Sequence, residues 1–238
     1  MRANNRTKEQ LRSVSFETNY IDHPEGSCMI RMGRTWVLCT ASIEERVPPF
    51  LMGKEQGWIT AEYSMLPRAT HSRTQRESVK GKQSGRTQEI QRLIGRSLRA
   101  CLDLKKLGER TITIDCDVIQ ADGGTRIASI NGGYVALALA IDKLMKNKKL
   151  KDNPIISTVS AVSVGMKSGE VLVDLDYVED SGCDVDMNIV MLGNDKLIEV
   201  QGTGENSTFT FPQMTAMMEM AKVSANFISD LQKKALQG

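Results

Sequence analysis

Histidine is nearly missing from this chain: His23 and His71 are the only two in 238 residues. A catalytic triad built on imidazole therefore has few candidates, and a lone histidine in polar text is more often a solvated side chain than a base. The five cysteines, Cys28, Cys39, Cys101, Cys116 and Cys183, are odd in number and form no C-x-x-C pair. Most lie in apolar text, which fits buried free thiols rather than a zinc site. No stretch approaches the roughly 20 apolar residues of a membrane-spanning helix. The start, from Met1 to Arg6, is polar and charged, with no apolar run of the secretory kind. We expect a soluble, cytoplasmic protein with no membrane partner.

A strong overall charge is missing too, the net being +2. The distribution is not even. Between Arg68 and Arg110 basic residues outnumber acids twelve to four, whereas from Glu170 to Glu205 ten acids face Lys196 alone. A basic segment and an acidic segment share one chain.

The length fits one domain or two closely fused halves. Ser27 to Ile30 and Thr35 to Ser42 read as a hairpin. From Pro48 to Gly85 the text is glycine-rich, polar and basic, broken only around Trp58-Ile59, and we read it as a binding loop. Gln88 to Leu107 is the clearest helix, with Thr87 as N-cap and Gly108 as stop. Thr111 to Gln120 reads as a strand, Ala121 to Thr125 as a glycine turn, and Ile127 to Lys146 as a largely buried helix. Ile156 to Met166 and Val171 to Tyr177 suggest a hairpin, as do Asp184 to Leu192 and Lys196 to Gln201 around Gly193-Asn194-Asp195. A last helix runs from Pro212 toward Leu236. Strand-turn-helix blocks with hairpins between them predict a mixed α/β fold, helices packed over sheet.

Four constellations could carry chemistry. Asp122-Gly123-Gly124-Thr125-Arg126 joins a strand to a helix start, where unpaired N–H groups and glycines let an anion approach; a plain turn with a surface arginine fits as well. Arg86 precedes another helix start, and its fork matches phosphate oxygens, though a solvated loop arginine fits it too. In Asp180-Ser181-Gly182-Cys183-Asp184-Val185-Asp186-Met187-Asn188, Asp184, Asp186 and Asn188 alternate onto one face with Asp180 able to fold back. Such carboxylates suit magnesium or manganese, and crowding would raise one carboxyl pKa as a general acid needs; an acidic surface hairpin fits equally. Leu66 to Arg76 is a basic loop almost without aromatics, suited to phosphate-backbone contact, a subunit interface or plain solvation.

These runs, with Gly57 to His71, Gly85 to Arg96, Asp115 to Ser129, Glu179 to Asn188 and Glu199 to Thr203, resemble ribonuclease PH proteins over nearly the whole chain. The resemblance implies an α/β, sandwich-like fold with mixed sheets, one domain spanning residues 1–238. It implies a homohexamer built as a trimer of dimers, and a phosphorolytic 3′-to-5′ exoribonuclease acting on RNA, tRNA precursors above all. Inorganic phosphate would be the co-substrate, nucleoside diphosphates the products, and the reaction reversible. Arg86, Gly124, Thr125 and Arg126 would hold phosphate. Asp180 and Asp186 would be catalytic and, with Asp184, bind a divalent metal, Mg2+ or Mn2+. Arg68, Arg73 and Arg76 would lie at the dimer contact and meet RNA. Ser13, Asn131 and Gly204-Glu205-Asn206 depart from the family pattern without removing any of these groups. Two rivals are a non-catalytic RNA-binding ring subunit and an enzyme using the same anion pocket on small phosphate substrates.

Overall fold

Strands that alternate in burial, with Gly26–Met32 and Val159–Lys167 buried along nearly their whole length, build two sheets, and helices with one or more apolar sides fill the space between and around them. The computed structural model describes Arg2 and residues 5–193 and 195–238; Asn194, expected in a hairpin turn, lies outside the described residues. The order is β1 (Val14–Thr18), β2 (Gly26–Met32), β3 (Thr35–Glu44), β4 (Trp58–Met65), α1 (Glu77–Lys80), α2 (Gly85–Arg99) and α3 (Leu104–Leu107). There follow β5 (Thr111–Gln120), α4 (Thr125–Lys146), β6 (Val159–Lys167), β7 (Glu170–Val173), α5 (Tyr177–Asp180), β8 (Val185–Leu192), β9 (Lys196–Gly204) and α6 (Phe211–Gln237). The first sheet runs β1-β2-β3-β5-β4 with only β4 and β5 parallel; the second runs β7-β6-β8-β9, antiparallel throughout.

Helix α4 is the shared core, packing on β2, β3 and β5 and, away from them, on β6 and α6. A helix buried by two layers must be apolar nearly all round. That corrects one expectation: by length and composition this 22-residue helix could cross a membrane, yet it is mostly buried inside the fold. Gly132 is required here, because a Cβ would come within 2.7 Å of Ile30 and 2.8 Å of the Cys39 thiol. Asn131, a departure from the family pattern, is fully satisfied. Its amide donates to the Ala161 carbonyl and accepts from the Ala161 N–H, both at 2.9 Å, stitching α4 to β6. Gln232 of α6 joins this network through the carbonyls of Asn131 and Val159.

Three further expectations change. The binding loop read over 48–85 contains an edge strand, β4, whose Ile59, Ala61 and Tyr63 point into the core while Thr60, Glu62 and Ser64 make the text look polar. The long helix divides after Arg99: Leu102 leaves to bridge Ile155, the Asp103 N–H donates to the Pro154 carbonyl, and the Asp103 side chain caps α3. The strand expected to reach Tyr177 stops at Val173. Asp174 adopts φ +54 and Asp176 forms a capping box with Glu179, so α5 begins where strand was expected.

All five cysteines are free and buried. Cys28, Cys39 and Cys116 lie side by side across β2, β3 and β5, and burial pushes the Cys28 thiol up to about 12. These thiols are packing groups, as expected.

Candidate active site

Strand β5 ends at a turn where Gly123 and Gly124 adopt φ +75 and +67, and Thr125 opens α4. The Thr35 hydroxyl braces the turn, accepting from the Asp122 N–H at 2.9 Å and donating to the Gly123 carbonyl at 2.6 Å. The first N–H groups of α4 have no intrahelical acceptor and form the positive end of its dipole. Thr125 is buried, its hydroxyl 2.8 Å from the Tyr63 hydroxyl. Arg126 is held in advance, donating to Gln201 Oε1 at 2.9 Å and Glu89 Oε1 at 3.3 Å. Arg86 sits inside the first turn of α2, since Ser84 rather than Thr87 is the cap. Its head is exposed and, among the described residues, has no ion-pair partner.

These groups and the carboxylates meet in one cavity of about 320 Å³ at the seam between the sheets. It is lined by Arg86, Gly124, Thr125, Arg126, Asp180 and Asp186, with Ser163, Ser181, Asn188, Gln201, Thr203 and Glu205. The last turn of α5 delivers Asp180. Strand register sets out the second-sheet wall in rows: Ser163, Asn188 and Gln201 lie opposite one another, and Asp186 opposes Thr203. Burial raises the Asp180 carboxyl above the usual aspartate range, with Arg86 pulling the other way and Glu205 adding to the rise. Asp186 is raised by burial, then by Asp180 and Glu205, against Arg126. A carboxyl biased toward its protonated form beside an anion cradle is equipped to donate a proton.

Asp186 Oδ1 is buried without a hydrogen-bond partner. An orphaned carboxylate oxygen next to a second carboxylate fits a hard divalent cation completed by water. Among the described residues, no group of three or more His, Cys, Asp or Glu forms a ready-made metal cage. Glu205 lines the cavity but is exposed, and Asp184 lies elsewhere. The latter corrects the expectation of a three-aspartate set. Asp184 precedes β8 and its carboxylate accepts from the Ser168 N–H at 2.8 Å, in the turn between β6 and β7. Asp180 and Asp186 are the pair the fold brings together.

A larger cavity, about 810 Å³, opens beside the first and shares Arg86 with it. Its floor carries Glu62, Asp115 and Asp117 from the outer face of β4 and β5, and its rim Arg76, Lys80 and Lys82. The Asp115 to Arg126 run thus serves two places: its aspartates line this floor, and only 124–126 enter the smaller site. Arg68 and Arg73 are exposed and line neither cavity. Neither histidine lines either of these two cavities; the His71 ring lies 6.0 Å from the Tyr177 ring. Sequence reasoning missed Tyr63, Ser163, Gln201, Thr203 and Glu205 as site residues. A signal existed for three of them, because Gln201, Thr203 and Glu205 recur at the strand period and so share one face.

Fold and cavity together define an α/β protein in which an anion cradle faces paired carboxylates across a seam between two sheets. Sequence models of the 3′ exoribonuclease family match it in succession, domain 1 over residues 10–141 and domain 2 over residues 157–224. The chain belongs to this family, the ribonuclease PH family. Solved structures share the fold. Rice (Oryza sativa) Rrp46 is 21% identical with a TM-score of 0.80, covering 99% of this chain and 100% of its own. The Archaeoglobus fulgidus exosome with RNA bound to the active site is 19% identical with a TM-score of 0.79, covering 96% and 91%. An archaeal exosome core is 18% identical with a TM-score of 0.73, covering 96% and 89%.

Proposed function

We propose that the protein is a phosphorolytic 3′-to-5′ exoribonuclease. The observation that carries this reading is the convergence of Arg86, Thr125 and Arg126 with Asp180 and Asp186 in one small cavity. Inorganic phosphate, bound by the two guanidinium groups, the Thr125 hydroxyl and the α4 N–H groups, attacks the phosphorus of the last phosphodiester bond. The P–O bond to the penultimate 3′ oxygen breaks, a nucleoside diphosphate leaves, and a raised-pKa carboxyl supplies the proton to the departing oxygen. Phosphate is already an anionic nucleophile, so no histidine base is required. The same steps in reverse add nucleotides from diphosphates.

Of Asp180 and Asp186, the ionised carboxylate would hold Mg2+, or Mn2+ in its place, while the other keeps its proton as the acid, and a cation there would offset charge on the phosphoryl oxygens. RNA reaches the site past a basic rim, with Arg76, Lys80, Lys82 and Arg86 at the larger cavity and Arg68 and Arg73 beyond it. The acidic cavity floor repels a phosphate backbone and confines it to that rim. We assign tRNA precursors as substrates, on the family resemblance, and a homohexameric ring of three dimers. Phe211, Val223 and Phe227, exposed along α6, and Tyr20 and Ile21 supply apolar surface for subunit contacts. Five free thiols suit a reducing, cytoplasmic setting.

Asp186→Asn tests the assignment against a non-catalytic RNA-binding subunit. Turnover should fall by at least about 1000-fold, with RNA affinity held within about twofold. Equal activity in parent and variant would contradict the catalytic reading.

A further inference from the structure

Arg12, just before β1, is only 7% exposed, and its planar head works on two fronts. Nη2 donates to Asp174 Oδ1 at 2.8 Å and Nε to Asp174 Oδ2 at 3.1 Å, while the Arg12 backbone N–H adds a bond to Oδ2 at 2.7 Å. On the other front, Nη1 donates to the Asp122 carbonyl at 2.5 Å. Asp122 opens the anion turn, and Asp174 leads into α5, which carries Asp180. One guanidinium therefore spans the two walls of the site without lining the cavity.

The parts it joins are already tight. A Cβ on Gly123 would lie 2.7 Å from the Leu175 carbonyl and 2.8 Å from the Tyr177 nitrogen, so the turn rests on the entry to α5. Asp174 is 1% exposed at φ +54, so its left-handed backbone is held inside the fold rather than in an open turn. Arg6 and Arg2 extend the same strap, reaching Glu179 at 3.0 and 2.7 Å. A buried ion pair is a weak device for stability alone, whereas a bidentate fork fixes geometry.

We propose that Arg12, anchored by Asp174, is a positioning residue for phosphate: by holding the Asp122 carbonyl it sets the spacing between the Thr125 and Arg126 donors and Asp180. This rests on the phosphorolytic reading above. A misplacement on the order of 1 Å can cost about 100-fold in such a site. Lysine keeps the charge opposite Asp174 but lacks the fork that serves both partners.

The test compares the full chain with Arg12→Met and Arg12→Lys, and with Gln232→Ala as a destabilised control whose side chain lies in the core network of α4 and α6. Phosphate affinity is read by titration calorimetry, alongside the phosphate KM, kcat, RNA affinity and Tm. Arg12→Met should weaken phosphate affinity and raise the phosphate KM about 10- to 100-fold, with RNA affinity changed less than about twofold. Arg12→Lys should recover Tm without recovering phosphate affinity, and it carries the test alone if the methionine variant does not fold. Gln232→Ala should lower Tm and leave phosphate affinity unchanged. If the parent binds phosphate and Arg12→Lys binds it equally well, the positioning role is overturned and the phosphorolytic reading stands. If the parent binds no phosphate, both fall.

Discussion

Asp186 shows how a single side chain can cost stability while serving a site. Its carboxyl and that of Asp180 are both raised on folding, by burial first. A group with a raised folded pKa binds its proton more tightly in the folded chain, so its contribution to stability falls as pH climbs from the ordinary aspartate range through the raised value. The penalty is complete only once pH exceeds the raised values. Asp186→Asn should therefore raise the Tm by a few degrees at neutral pH and flatten the decline between acid and neutral pH. Mg2+ should raise the Tm of the parent and leave that of the variant nearly unchanged. Thermal scans across pH, with and without Mg2+, check both points; a variant less stable than the parent at neutral pH would remove the unneutralised carboxyl pair from the account.

At the level of elements, the anion turn and α5 act as one unit because glycine permits their contact. Gly123→Ala meets a positive φ and a backbone wall together, and should destabilise the protein by about 1–3 kcal/mol and weaken phosphate binding. Denaturant titration and calorimetry measure these effects; wild-type phosphate binding would show that the turn is independent of α5. This unit was half legible in sequence. Strand β5 matched its expected bounds, and α4 starts two residues before its expected start, because period and composition state them locally. The split after Arg99 was not legible, since Ile155, which Leu102 leaves to meet, lies far away along the chain; α5 was signalled by its Asp176 to Glu179 capping box, but the alternation from Leu172 to Tyr177 read as strand. Strand β4 hid because its outward face carries Glu62 and Ser64 beside an apolar row only three residues deep. Asp184 was misplaced for a related reason: alternation is a rule for strands, and β8 begins one residue after it.

For the whole molecule, the two sheets contribute different halves of the chemistry. The first sheet and its helices offer cations and N–H donors; the second offers carboxylates and amides, and α4 fixes their separation. On the proposed reading, the basic rim outside this seam is where RNA binds. Neutralising Arg73 and Arg76 together should weaken RNA binding and reduce the slope of log affinity against log salt by about 1 to 1.5. An unchanged slope, measured by titration at several salt concentrations, would point to small phosphate substrates instead. The most direct test of the central claim is the mass of the products released from a short 3′-extended RNA with and without inorganic phosphate. Nucleoside diphosphates, formed only when phosphate is present, are the expected products; nucleoside monophosphates released at an equal rate in phosphate-free buffer would show that the enzyme is not phosphorolytic.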